Sequence, residues 1–206
     1  IIDFLNQNGK PGENIHSFVE GAVAFTNQMM LSISKSVPEY QGWGTTLDCC
    51  VIYDNNAYIC HVGDGRVYHL KDDCSVLEQV TIDHSFLPMD ISYLSAKEQK
   101  IAQLNAKLSE YIGKENAKID TCHIQLNAGD IVLMVTDGIT RLLTDEELLE
   151  IFKNPDFGKV KHTLLKQLSS PTAFVREYAE FKGISPEDAY KRLVDDRTMI
   201  AIKRLK

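Results

Sequence analysis

Acidic residues stand at the ends of two strand-like segments, where carboxylates can gather to bind a metal ion. The apolar run Ile131–Val135 leads directly into Thr136-Asp137-Gly138, and Asp195-Asp196-Arg197-Thr198 leads into a second apolar run at 198–202. If these strands pair antiparallel, the end of one meets the start of the other at one edge of the sheet. Asp137 and Asp195 would then supply the oxygen ligands that Mg²⁺ and Mn²⁺ prefer.

Two shorter motifs contain further acidic and basic residues. Thr81-Ile82-Asp83-His84-Ser85 follows a strand-like segment, and His61-Val62-Gly63-Asp64-Gly65-Arg66 has the turn residues of a hairpin. Gly138 has no side chain and lets the backbone approach another group closely. Taken singly, each motif also has an ordinary structural explanation, because Asp and Gly are common turn residues.

The elements that must position these residues are mixed. An amphipathic pattern predicts a helix over 14–35, and strands joined by short turns follow it. A capping box of Ser95 and Glu98, an apolar stripe and a stop at Gly113 predict a second helix over 95–112. Residues 139–194 are largely helical in pattern. This arrangement predicts an α+β domain in which helices cover antiparallel sheets.

Composition excludes several classes of function. The chain of 206 residues has the length of one domain and a net charge of −7, which disfavours binding to nucleic acid. It has no apolar run long enough to cross a membrane, so we expect a cytoplasmic protein. The five cysteines show neither disulfide-framework nor zinc-ligand spacing, and we expect them to be reduced and buried.

Taken in order, the motifs resemble the type 2C protein phosphatase family, whose patterns read G-T-T, V-G-D-S-R, T-x-D-H-S, S-D-G and D-N-x-T. The resemblance spans residues 42–202 and includes Gly44-Thr45-Thr46 as well as the motifs above. Gly65 and Thr136 each replace a serine, and Asp196 replaces an asparagine. An Asp at the position of Asp196 also occurs in a bacterial branch, which leaves the sub-family open, while the resemblance as a whole is bacterial-like.

This resemblance implies a fold, a site and an activity. The fold would be a four-layer α-β-β-α sandwich forming a single domain over 1–206, with 139–194 as a helical flap. Asp137 and Asp195 would be catalytic ligands of two Mn²⁺ or Mg²⁺ ions, and Asp83 would serve a third, weaker metal. Gly138, Asp64 and Arg66 would support the site.

The implied reaction is hydrolysis of phosphoserine or phosphothreonine on protein substrates by a metal-activated water. The partners would be phosphorylated proteins, within the pathway of a cognate serine/threonine kinase. The family's first metal-binding acid, its phosphate-binding arginine and its D-G-x-G-G segment have no counterpart in this sequence. We expect them upstream of residue 1, in a segment absent from this chain.

Two other functions remain open at this point. A chain without half of the family's metal ligands could be a pseudophosphatase that acts as a binding module. Alternatively, the segment from Cys60 to Arg66 fits the C-x-x-G-x-x-R loop of cysteine-dependent phosphatases. That loop should run into a helix N-terminus. Here a strand-like segment follows, and Asp64 would repel a bound phosphate.

Overall fold

A long amphipathic helix precedes the first sheet. The computed structural model describes residues 14–205, and helix α1 spans Ile15–Ser36. Its N-terminus is capped by Asn14, whose side chain accepts a hydrogen bond from the Ser17 amide. Ile15, Val19 and Val23 recur at a spacing of four residues and are buried, as the predicted stripe requires.

In the described part of the chain, α1 is followed by runs of strands and runs of helices. The strands are β1 (Leu47–Tyr53), β2 (Asn56–Val62), β3 (Arg66–Leu70), β4 (Leu77–Gln79), β5 (Ser85–Phe86), β6 (Lys107–Leu108), β7 (Asp120–Gln125), β8 (Ile131–Val135) and β9 (Met199–Lys203). The further helices are α2 (Ala96–Gln103), α3 (Asp137–Thr140), α4 (Asp145–Phe152), α5 (Phe157–Gln167), α6 (Ala173–Lys182) and α7 (Pro186–Leu193), with a 3₁₀ turn at Pro38–Tyr40.

These elements belong to two compact units. The first contains the chain up to Val67 together with Val80–Pro88 and Ala106–Asn127. Its main sheet has the order β1-β2-β7, and both pairs of strands are antiparallel. Helix α1 packs on this sheet, so that its buried stripe meets Cys60 and Val62 of β2.

The second unit contains Tyr68–Gln79, Met89–Asn105 and the chain from Ala128 onward. The sheet that contributes most of its strands has the order β4-β3-β8-β9. Strand β8 is apolar throughout and almost entirely buried. The core of the second unit contains strand residues such as Tyr68 and Leu133 together with buried residues from α3 through α7, including Leu148, Leu164 and Phe174. Residues 139–194 therefore supply much of this core, and their role as a flap stays a prediction.

One predicted helix is shorter than its sequence pattern indicates. The capping box of Ser95 and Glu98 is present, but α2 ends at Gln103 rather than at residue 112. The next residues form β6, which pairs with β5, and Ile112 pairs with Thr45. Leu108, a member of the predicted buried stripe, is 40% exposed. Pairing between distant strands thus overrides the local helical pattern.

The α+β class with antiparallel sheets and covering helices is confirmed. The single-domain boundary of 1–206 stays a prediction and includes residues 1–13 and 206, which lie outside the described residues. Within residues 14–205, no helix combines the length and the apolar character that crossing a membrane requires.

Candidate active site

The end of β8 and the start of β9 meet at one edge of their sheet. The two strands are antiparallel, with Ile131 opposite Lys203 and Val135 opposite Met199. The next residues continue the pairing, because the Thr136 amide donates to the Thr198 carbonyl at 3.1 Å. Asp137 and Asp195 therefore emerge at the same edge, as the sequence pattern predicts from antiparallel pairing.

Thr136 and Gly138 hold the backbone at this edge of the sheet in place. The Thr136 hydroxyl accepts a hydrogen bond from the Thr198 amide at 3.0 Å and donates to the Asp196 carbonyl at 3.2 Å. A Cβ atom at Gly138 would lie 2.2 Å from that same carbonyl oxygen. The close approach predicted for Gly138 is thus an approach to the backbone of the Asp195-Asp196 loop, and only glycine leaves room for it.

Arg141 lies between the two carboxylates. Its Nη2 atom is 2.8 Å from Oδ2 of Asp137, and its Nη1 atom is 3.9 Å from Oδ2 of Asp195. Oδ1 of Asp195 accepts a hydrogen bond from the neighbouring Asp196 amide at 2.8 Å. Both aspartates therefore turn one oxygen toward the same cation. Arg141 was not predicted from the sequence, although its spacing of four residues from Asp137 is the usual spacing of a helical ion pair.

The loop that carries Asp195 is anchored on its other side by Arg197. The Arg197 guanidinium donates to the Leu168 carbonyl and to the Tyr190 hydroxyl, and that hydroxyl donates to the same carbonyl. A groove of about 690 Å³ borders Asp195, and its lining is mainly apolar, with Ile139, Leu164 and Met199 among its residues. The carboxylate pair is thus held on a fixed edge beside an open surface.

The carboxylate pair fits part of a hard-metal site. Mg²⁺ is commonly held by one or two protein carboxylates while water and substrate oxygens complete its shell. The Arg141 guanidinium shows that one cation can face both aspartates. Among residues 14–205, however, no group of three or more His, Cys, Asp or Glu side chains is arranged to hold a metal. Asp137 and Asp195 belong to the second unit and Asp83 to the first, and the role of Asp83 at a third metal stays a prediction.

Asp83 belongs to the first unit, where Arg66 holds it. The Arg66 Nε atom is 3.0 Å and 3.1 Å from the two carboxylate oxygens, and Nη2 is 2.7 Å from Oδ2. This is a two-pronged, charge-assisted pair, which fixes the plane of the carboxylate. Arg66 therefore fixes Asp83 within the first unit, and its role in supporting the site stays a prediction. Asp64 lies partly buried in the turn between β2 and β3.

The residues on either side of Asp83 are fixed by the turn after β2. His61 Nε2 lies 3.1 Å from the Ile82 carbonyl, and the His84 amide donates to the Gly63 carbonyl at 2.7 Å. The Gly63 amide in turn donates to His84 Nδ1 at 3.2 Å. Gly63 has a φ of +127°, and a Cβ there would lie 2.4 Å from the Thr46 side chain. These contacts leave Asp83 little freedom.

The hydrogen-bond partners of His61 and His84 indicate which ring nitrogens carry a proton. His61 faces acceptors at both nitrogens, since Nδ1 lies 2.7 Å from the Asp48 carboxylate and Nε2 faces the Ile82 carbonyl. It must carry both protons to satisfy them. His84 accepts at Nδ1 and faces Asp120 at Nε2, 2.9 Å away, so it is neutral with its proton on Nε2. Neither role could be predicted from the sequence, because the hydrogen-bond partners of both histidines are distant along the chain.

The charge on His61 agrees with its surroundings. Burial by itself lowers the pKa of His61, but the hydrogen bond and the charge of Asp48 raise it. The Ile82 carbonyl and the charge of Asp83 act in the same direction, and the net pKa is raised above its ordinary value. A buried imidazolium thus stands between the Asp48 carboxylate and the backbone that precedes Asp83.

The chain is similar in sequence to bacterial serine/threonine phosphatases. The chain is 24% identical over 159 residues to the serine/threonine protein phosphatase PstP of Mycobacterium tuberculosis, a match over 76% of the chain and 30% of PstP. It is 26% identical over 145 residues to the serine/threonine phosphatase stp of Listeria innocua, covering 69% of the chain and 57% of stp. The chain thus spans less than two thirds of the length of these curated relatives. No family model matches it.

Solved structures agree on the fold. The crystal structure of M. tuberculosis PstP superimposes with a TM-score of 0.74 at 21% identity, covering 96% of this chain and 76% of that one. A PstP catalytic domain in complex with two manganese ions gives a TM-score of 0.67 at 21% identity, covering 94% and 73%. The fold is that of bacterial serine/threonine phosphatases, and the resemblance that the motifs indicate is confirmed.

Proposed function

We propose that the protein hydrolyses phosphoserine or phosphothreonine on protein substrates and depends on Mn²⁺ or Mg²⁺. The observation that carries the proposal is the meeting of Asp137 and Asp195 at one sheet edge, each turned toward a shared cation. The names of its relatives and the two manganese ions bound to PstP support the same chemistry. Phosphorylated proteins are therefore its proposed partners, within the pathway of a cognate kinase.

Residues of this chain would hold and orient the metal ligands. Asp137 and Asp195 are the proposed ligands, and Thr136 and Gly138 fix the edge from which they project. Arg66 and the turn after β2 fix Asp83, the proposed ligand of a third and weaker metal. When bound, divalent metal ions lower the pKa of water and offset the charge of a phosphate group. No covalent bond to the protein is required.

The local geometry argues against the cysteine-dependent alternative. Cys60 is 1% exposed within β2, and burial raises its pKa to about 12, whereas a nucleophilic cysteine needs a lowered pKa. The segment after the turn is strand β3 rather than a helix N-terminus. The Arg66 guanidinium that would hold phosphate is paired with Asp83. Replacing Cys60 with serine should therefore leave turnover nearly intact.

The deciding experiment measures phosphate release from phosphothreonine peptides by the intact protein. We expect activity with Mn²⁺ or Mg²⁺ and none in EDTA. Asp137→Asn and Asp195→Asn should each lower kcat by about 100-fold or more, and the double variant should be little worse than either single variant. Full turnover in chelator would reject the metal-dependent mechanism. Mn²⁺ binding without any turnover would instead favour the pseudophosphatase.

Asp196→Asn is the matched control for these substitutions. The contacts of Asp196 with Thr136 and Gly138 use its backbone carbonyl, and its amide donates to Asp195, so its side chain takes no part in them. The variant makes the same chemical change one residue away and should keep nearly full turnover. A loss as large as that of Asp195→Asn would show that the wrong aspartate has been assigned.

A further inference from the structure

Arg141 is the cation that the carboxylate pair holds in this structure. It follows the four-residue helix α3, which Asp137 begins, and its guanidinium contacts Oδ2 of Asp137 and lies near Oδ2 of Asp195. Its side chain is 34% exposed, so part of the guanidinium faces solvent beside the two acids. Arg141 is therefore both a partner of the proposed metal ligands and accessible from outside.

A metal ion and Arg141 compete for the same two carboxylates. Oδ1 of Asp195 is engaged by the Asp196 amide, so Oδ2 is the oxygen turned toward other cations. Oδ2 of Asp137 is engaged by Arg141 Nη2 at 2.8 Å. A metal that takes these oxygens must release the guanidinium. The released group has a planar fork of donors, which matches the oxygen atoms of a phosphate.

The nearby Arg197 has partners that metal binding does not remove. The Arg197 guanidinium donates to the Leu168 carbonyl and to the Tyr190 hydroxyl. Arg141 differs from Arg197 because its partners, the two carboxylates, are themselves the proposed metal ligands.

We propose that Arg141 is a phosphate-binding residue of this site, which pairs with Asp137 and Asp195 while metal is absent and turns to the substrate phosphate when they bind metal. This inference rests on the proposed function, because it takes the carboxylate pair as the metal site. It adds a phosphate contact within this chain to the one expected from the arginine upstream of residue 1. It also makes metal binding the step that prepares the site for substrate.

The test compares Arg141→Gln with Arg141→Lys and with the control Arg176→Gln in the intact protein. Arg176 is exposed on α6, and within residues 14–205 its side chain has no ion pair or hydrogen bond. Calorimetric titration with MnCl₂ should show that Arg141→Gln binds Mn²⁺ about two- to fivefold more tightly, because a competing cation is gone. The control should bind Mn²⁺ as the wild type does.

The second measurement follows phosphate. The inhibition constant of inorganic phosphate and the KM for p-nitrophenyl phosphate should each rise about tenfold or more in Arg141→Gln. Arg141→Lys should recover part of this loss, because lysine keeps the charge but loses the planar fork. A purely structural role for Arg141 would weaken metal and phosphate binding together. Tighter Mn²⁺ with weaker phosphate is the expected and distinguishing result.

Two results would overturn the inference. Unchanged phosphate inhibition and KM in Arg141→Gln would show that the guanidinium does not contact phosphate. Weaker Mn²⁺ binding in the same variant would show that it does not compete with the metal. Absence of turnover in the wild type would count against the proposed function, while calorimetry with Mn²⁺ and inorganic phosphate would still measure both effects of Arg141.

Discussion

His61 shows how a single buried charge can fix the backbone next to a proposed site residue, Asp83. Its side chain is almost fully buried, yet its contacts require an imidazolium between Asp48 and the Ile82 carbonyl. The ring of His84 lies 4.7 Å from that of His61 and is neutral by its own contacts. Two adjacent histidines therefore hold different protonation states, and both fix the backbone around Asp83.

Replacing His61 with leucine should be strongly destabilising. The change leaves the Asp48 carboxylate, whose side chain is 15% exposed, and the Ile82 carbonyl without their donor. Breaking a buried ion pair by removing one partner costs about 3–5 kcal/mol, and urea denaturation measures it. Lys35→Ala removes an exposed ion pair with Glu115 and should leave the unfolding midpoint unchanged. Equal midpoints for His61→Leu and wild type would show that the imidazolium is not part of the fold.

Because the pKa of His61 is raised, the difference in unfolding free energy between wild type and His61→Leu should depend on pH. A pKa that is higher in the folded protein adds stability below the unfolded value of about 6.5, and that stability is lost as the pH rises through the folded value. The gap between wild type and His61→Leu should therefore be larger at about pH 6 than at about pH 9. A gap that widens toward high pH would contradict a charged His61.

At the scale of elements, the antiparallel pairing of β8 and β9 decides the geometry of the site. Two apolar runs with acids at the correct ends were enough to predict that Asp137 and Asp195 share an edge, because antiparallel strands place an end beside a start. The sequence does not show which group fills the space between them. The spacing of Asp137 and Arg141 indicates a helical pair, but only the folded loop brings Asp195 to the same guanidinium.

The prediction of a helix over 95–112 is correct at its start and wrong at its end. Its capping box and apolar spacing are local signals, and they correctly located the start of α2. Its end is decided by distant partners: the Ser109 amide donates to the His84 carbonyl, and the Ile112 and Thr45 backbones bond to each other. Local patterns locate helix starts well, while strand pairing between distant segments decides where such a helix must end.

A substitution of Thr136 tests whether the strand edge positions the proposed metal ligands. Thr136→Val keeps the shape of the side chain but leaves the Thr198 amide without its acceptor, so we expect a loss of about 1 kcal/mol in unfolding free energy. Mn²⁺ affinity should fall several-fold in calorimetry. Thr136→Ser keeps the hydroxyl and should resemble wild type in both measurements. A valine variant with unchanged Mn²⁺ affinity would show that the hydrogen bonds of the Thr136 hydroxyl do not position the carboxylates.

At the scale of the whole molecule, the order of the motifs carried more information than any single motif. The acids and turns are spread from residue 44 to residue 198, and each alone fits an ordinary turn. In that order they identify a fold that the solved phosphatase structures share over 94–96% of this chain. The histidines and Arg141 could not be found in this way, because their roles depend on contacts that folding creates.

Metal binding should also appear in the stability of the whole molecule. A ligand that binds only the folded state adds about 2.7 kcal/mol at a concentration 100 times its Kd, which for a chain of this size raises the Tm by about 5–10 °C. Saturating Mn²⁺ should therefore raise the Tm of the intact protein, EDTA should reverse the shift, and Asp137→Asn should remove most of it.

Because Arg141 already offsets the repulsion between the two acids, the Asn variant should gain no stability without metal. Asp90→Asn, an exposed turn carboxylate whose oxygen accepts from the Ser92 amide, should keep the full shift. If Asp137→Asn keeps the same Mn²⁺-dependent shift as this control, Asp137 does not bind the metal.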